Sequence, residues 1–132
     1  MKFITKTPEE LVQMALDITD GDKYARVLVF ADNQYDYSIE TFRHRPGVYT
    51  KILRRYTSQS GGTVSFGRHC KSDEDVLMYS GIQLTHLFLI DNITGFDYLV
   101  AKSRMRSTHK LVVPLGIYNE YGIETWNIKY YE

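Results

Sequence analysis

Cysteine is almost missing from this chain. Cys70 stands alone among 132 residues, which excludes an intrachain disulfide and any zinc site built from several thiolates. A reducing, cytoplasmic compartment is expected for such a composition. Long apolar runs are missing as well, and none approaches the ~20 residues that span a bilayer. Pro8, Glu9 and Glu10 stand where a signal peptide would carry its apolar stretch, so neither membrane insertion nor export is expected. Alanine occurs four times against eleven tyrosines. Alanine codons are GC-rich and tyrosine codons AT-rich, so the bias fits an AT-rich genome such as a phage's. A tyrosine-rich binding surface would produce it too.

What is present suffices for a globular core. The chain is 43% hydrophobic and 24% charged, a balance that separates it from disordered sequences. Its length fits one domain over residues 1–132. Thr7 as N-cap, Pro8 at the first helical position and Glu10 closing a capping box open a first helix. Leu11, Met14, Ala15 and Ile18 fall at helical spacing, and Asp20-Gly21-Asp22 ends it. Arg26 to Phe30 reads as a buried strand, and Asp32-Asn33-Gln34 turns it into a hairpin with the alternating segment around Tyr35, Tyr37 and Ile39.

Pro46-Gly47 is expected to open a second helix of about a dozen residues. Val48, Tyr49, Ile52, Leu53 and Tyr56 form its apolar stripe, and Lys51, Arg54, Arg55 and Ser58 the opposite one. Residues 57–63 read as a loop and Val64 to Phe66 as a short strand. Ser72 is the N-cap of a third helix, whose first turn carries Asp73, Glu74 and Asp75. Leu84 to Ile90 is nearly all apolar and reads as a central strand. After a turn at 91–95, further strands are expected over 96–101, 111–118 and 123–131, with Pro114 marking an edge or bulge. The order predicts an α+β fold: a mainly antiparallel sheet of about five to six strands, with two to three helices on one face.

Acidic residues are unevenly missing. Net charge is zero, yet no carboxylate stands between Thr41 and Ser72, where Arg43, Arg45, Lys51, Arg54, Arg55, Arg68 and Lys71 occur. None stands between Tyr98 and Asn119 either, where Lys102, Arg104, Arg106 and Lys110 occur. Eleven of the sixteen basic residues therefore sit in two acid-free windows. Like charges repel unless a partner relieves them, and a phosphate backbone does so while releasing counterions. The hydroxyls and backbone N–H groups of the Ser58–Thr63 stretch are placed to meet phosphate oxygens. Acids elsewhere, such as Asp17, Asp20, Asp22, Asp32, Asp36, Asp73, Glu74 and Asp75, offer the competing outcome of neutralising these bases on folding.

Catalytic signals are thin. His44, His69 and His109 lie among basic residues, the ingredients of a metal-independent ribonuclease, but no fixed spacing ties them together. His86 in its apolar strand reads as a core histidine. Cys70 beside His69 and Arg68 is a candidate for a lowered thiol pKa, or simply a small buried residue. The glycine-rich stretch lacks the Gly-Lys-Ser/Thr ending of a nucleotide-phosphate loop, and no carboxylate spacing matches a calcium loop. No catalytic residue, metal or cofactor is assigned. The expectation is a nucleic-acid or phosphate-contacting protein, for RNA or single strands, that uses the eleven basic residues. A compact inhibitor or accessory factor that binds a host protein is the alternative, and a ribonuclease the third.

Overall fold

The computed structural model describes residues 8–32, 45–51, 54–90, 94–112 and 128–129. Three helices and one mixed sheet make up this part of the chain. Helix α1 runs Pro8–Gly21, followed by strand β1 (Arg26–Phe30). Two short strands, β2 (Val48–Thr50) and β3 (Arg55–Thr57), lead to β4 (Thr63–Gly67). Helix α2 (Asp73–Leu77), strand β5 (Leu84–Leu89), helix α3 (Gly95–Arg104), and strands β6 (Met105–Val112) and β7 (Ile128–Lys129) complete it. The sheet order is β2-β3-β4-β1-β5-β6-β7. Among the described residues no helix is long and apolar enough to cross a membrane.

The expected α+β fold, helices with one sheet, is found, and several of its details differ from expectation. Among the described residues the sheet has seven strands, where five to six were expected. Antiparallel pairing is confined to β2–β3–β4, while β1 pairs parallel with both β4 and β5, and β5, β6 and β7 continue parallel. The reason is visible in β1, where Val27, Leu28, Val29 and Phe30 are all buried. A strand apolar on both sides needs cover on both faces, as parallel strands linked by helices have.

The helices accordingly lie on both faces rather than one. Leu11, Val12, Ala15 and Leu16 of α1 pack with Val27, Val29, Val64, Phe66 and Phe88. On the other face, Val76 and Tyr79 of the α2 region and Tyr98, Val100 and Ala101 of α3 pack with Leu28, Phe30, Leu87 and Leu89. Each fully buried valine, leucine or phenylalanine among them contributes about 1.5–3 kcal/mol.

The second expected helix is not formed among the described residues, outside which Ile52 and Leu53 of its stripe lie. Val48 to Thr50 and Arg55 to Thr57 are antiparallel strands, with Tyr49 opposite Tyr56. Gly47 explains the misreading. It is no helix opener; a Cβ there would come within 2.2 Å of the Thr57 carbonyl and 2.5 Å of the Tyr56 ring. Only glycine lets the chain pass that close to β3. Tyr56 is fully buried, and its hydroxyl donates to Asp20 Oδ1 at 2.9 Å and accepts from the Gly47 N–H at 3.3 Å.

The expected strand at 96–101 is helix α3. Thr94-Gly95-Phe96-Asp97 is a capping box: the Thr94 N–H donates to Asp97 Oδ2 (3.0 Å) and the Asp97 N–H to Thr94 Oγ1 (3.3 Å). The Ser72 cap of α2 is confirmed, its hydroxyl accepting from the Asp75 N–H at 3.2 Å. The Thr7 cap, the segment around Tyr35 to Ile39, residues 91–93 of the expected turn, and residues 113–127 and 130–131 of the expected last strands lie outside the described residues. Within it, β1 has no hairpin partner, since both of its neighbours run parallel.

Candidate nucleic-acid interface

Strand β4 carries the site. Its residues alternate: Val64 and Phe66 are buried toward α1, while Thr63, Ser65 and Gly67 are half-exposed on the opposite face. Small residues on that face leave open space beside Leu28 of β1. Helix α2 and the turn after it pack with Phe30 and Leu84, and of that turn Tyr79 reaches back over Gly67. The result is a cavity of about 790 Å³ between β3 on one side and the α2 region on the other.

Its walls differ chemically. Lys51, Arg54 and Arg55 line it from the β3 side, Arg26 from the start of β1, and Arg68 and Lys71 from the chain leaving β4. Among the described residues, two carboxylates, Asp32 and Asp75, line it with these six lysine and arginine side chains. Asp75 is engaged in its helix cap and accepts from the Lys71 N–H at 2.8 Å. Met78, Tyr79, Ile82 and Leu84 form the apolar side.

Several of these side chains are held in place. Arg55 donates from Nε to Ser65 Oγ at 3.2 Å. The Arg26 guanidinium is tied to the carbonyls of Ala25 (2.7 Å), Lys23 (3.2 Å) and Gly61 (3.3 Å), which pins a positive charge at one end of the cavity. Arg54 sits at φ 43°, a left-handed conformation that costs a residue other than glycine about 1–3 kcal/mol. Tyr79 stacks edge-to-face on Phe30, ring centroids 5.2 Å apart. Burial and the nearby Cys70, Asp75 and Asp97 push its phenol pKa up to about 12, so it stays protonated.

The sequence-predicted basic residues divide accordingly. Lys51, Arg54, Arg55, Arg68 and Lys71 meet on this cavity. Arg45 does not. It donates to Gln13 Oε1 (2.7 Å) and pairs with Asp17 (3.2 Å) and Asp20 on α1, so it is neutralised there. Arg43 lies outside the described residues. Lys102 and Arg104 end α3, and Arg106 and Lys110 lie on β6. With β1 and β5 between β4 and β6, the backbone of Arg106 and Lys110 stands about 14 Å away across the sheet. Arg26 escaped the charge windows because it follows Asp22 and Lys23.

Within the Ser58–Thr63 stretch, Ser58 and Ser60 turn to α1, while Thr63 lines the cavity. Ser58 Oγ donates to the Thr19 carbonyl (2.9 Å) and Ser60 Oγ to the Asp20 carbonyl (3.0 Å). These hydroxyls satisfy the orphan carbonyls at the end of α1.

His69 and Cys70 are equally committed to structure. His69 is buried, and its Nδ1 and Nε2 face Asp97 Oδ2 and the Ile90 carbonyl, each at 2.6 Å. Asp97 Oδ1 also accepts from the Cys70 N–H at 2.7 Å. The Cys70 thiol is not activated, since burial and Asp97 push its pKa up to about 12. His86 is half-buried beside Thr85, with Oγ1 and Nδ1 2.9 Å apart. Among the described residues no three His, Cys, Asp or Glu side chains gather as metal ligands. No family model, curated protein or solved structure matches the chain significantly.

Proposed function

We propose that this chain binds nucleic acid, RNA or another single strand, through the cationic cavity between β3–β4 and α2. One observation carries the proposal: in a chain of zero net charge, six lysine and arginine side chains but two carboxylates line one cavity among the described residues. Such an excess favours a partner whose own charges are repeated and negative. A phosphodiester strand meets that condition, and its binding is driven by counterion release. The apolar side of the same cavity suits exposed base faces, which a duplex keeps stacked inside.

The test is fluorescence anisotropy with a labelled single-stranded RNA across several salt concentrations. Contact with about four phosphates gives a log–log slope near −3 on single strands. Undetectable binding even at low salt refutes the proposal.

A further inference from the structure

We propose that the cavity seats a single unpaired nucleotide of the bound strand, its base against the Met78–Ile82 wall and its phosphate at Arg55 beside Ser65. This inference rests on the reading above and gives that surface a specific ligand unit.

Three observations carry it. The first is size. About 790 Å³ falls within the roughly 300–1,000 Å³ of sites that enclose one small ligand, which suits one nucleotide and not a helix. The second is the division of the walls. A nucleotide has an apolar, flat end and an anionic end, and the cavity sets Met78, Tyr79 and Ile82 across from Lys51, Arg54 and Arg55. A purely electrostatic surface needs no apolar side. Met78 is 74% exposed, so its thioether is available to a ligand, and a soft, flexible side chain adapts to a flat base.

The third is how Tyr79 is held. Gly67 has no side chain where a Cβ would stand 2.5 Å from the Tyr79 hydroxyl and 3.3 Å from the Phe30 ring. Its absence lets the phenol lie down onto β4, while the Phe30 ring fixes its tilt. The wall is thus preorganised, and little ordering cost remains for binding. Thr63 and Ser65, beside Gly67 on β4, also line the cavity and supply hydroxyls for sugar or phosphate oxygens.

The experiment compares three probes on the intact chain by anisotropy at low salt: oligouridine, an abasic phosphodiester strand of the same length, and an RNA duplex. The wild type should bind the abasic strand and the duplex at least about tenfold more weakly than oligouridine, the scale of one base–side-chain stack. Met78→Ala, at an exposed position that leaves the fold intact, should shrink that preference. Arg55→Ala should weaken oligouridine and abasic strand by the same factor. Equal binding of oligouridine and abasic strand by the wild type overturns the base site while leaving the electrostatic reading standing. Binding of no probe overturns both. Preference for the duplex, or an unchanged preference in Met78→Ala, overturns the placement of the base.

Discussion

His69 and Asp97 are joined by a 2.6 Å hydrogen bond from which water is excluded, the two side chains being 1% and 0% exposed. The other ring nitrogen faces a second acceptor, the Ile90 carbonyl. Two acceptors call for two N–H donors, so the ring sits as an imidazolium. Burial pulls its pKa down, but the hydrogen bond and charge of Asp97, the Ile90 carbonyl and the charge of Asp32 more than offset this, and the pKa is raised. The pair ties the chain leaving β4 to the end of β5 and the start of α3, which anchors the end of the cavity where Arg68 and Lys71 stand.

A pH dependence follows. A histidine raised in the folded state contributes stability that is fully present below its unfolded pKa of about 6.5 and is lost as pH rises through the folded value. His69→Gln should cost about 3–5 kcal/mol near pH 6, the scale of breaking a buried pair. The gap in urea midpoint between wild type and variant should narrow as pH is raised toward 9. A gap that stays constant across that range contradicts the imidazolium.

Cys70 should be inert in the folded protein. With 1% of its surface exposed and a thiol pKa near 12, its thiolate is scarce at pH 8. Labelling by a thiol-specific disulfide reagent should be slow in buffer and rapid in denaturant. Fast labelling of the native protein contradicts its placement.

Gly62 should resist substitution. A Cβ there would meet the carbonyl oxygens of Thr19 at 2.3 Å and Asp22 at 2.4 Å, and both belong to backbone that cannot swing aside. Gly62→Ala is expected to cost about 1–3 kcal/mol or more by overpacking. Ser58→Ala, which leaves the Thr19 carbonyl with the longer 3.4 Å bond from Ser60 Oγ, should cost about 1 kcal/mol. Chemical denaturation measures both, and a neutral Gly62→Ala contradicts the close docking of this loop on α1.

Local signals in the sequence located α1, β1, β4, the Ser72 cap and β5, because caps and apolar periodicity are short-range properties. Helix α3 was misread because Gly95 in its first turn imitates a turn and Asp97 replaces the usual glutamate of a capping box. The stretch 48–57 was misread because its apolar residues fit a helical period, whereas what decides its fold is the approach of Gly47 to Tyr56 and Thr57. Parallel pairing is a long-range property, and its one local trace was the apolar character of β1 and β5 on both sides.

The charge windows located five of the six cavity cations. They could not separate Arg45 from these, since its partners Asp17 and Asp20 are nearly thirty positions away. Nor did charge alone show the apolar wall, which depends on how Met78, Tyr79, Ile82 and Leu84 are carried to the cavity by the fold.

The central claim is that the cavity cations, and not Arg45, carry nucleic-acid binding. The direct measurement is the affinity of single-stranded RNA for Arg55→Glu and Arg45→Glu, each checked for folding, against wild type across salt. Arg55→Glu should weaken binding about tenfold or more at low salt and reduce the steepness of the salt slope by about 0.7, the share of one phosphate contact on a single strand. Arg45→Glu sets a carboxylate against Asp17 and Asp20 and should lower stability, yet leave affinity and slope near wild type. Equal losses in both variants, or a loss only in Arg45→Glu, would contradict the account.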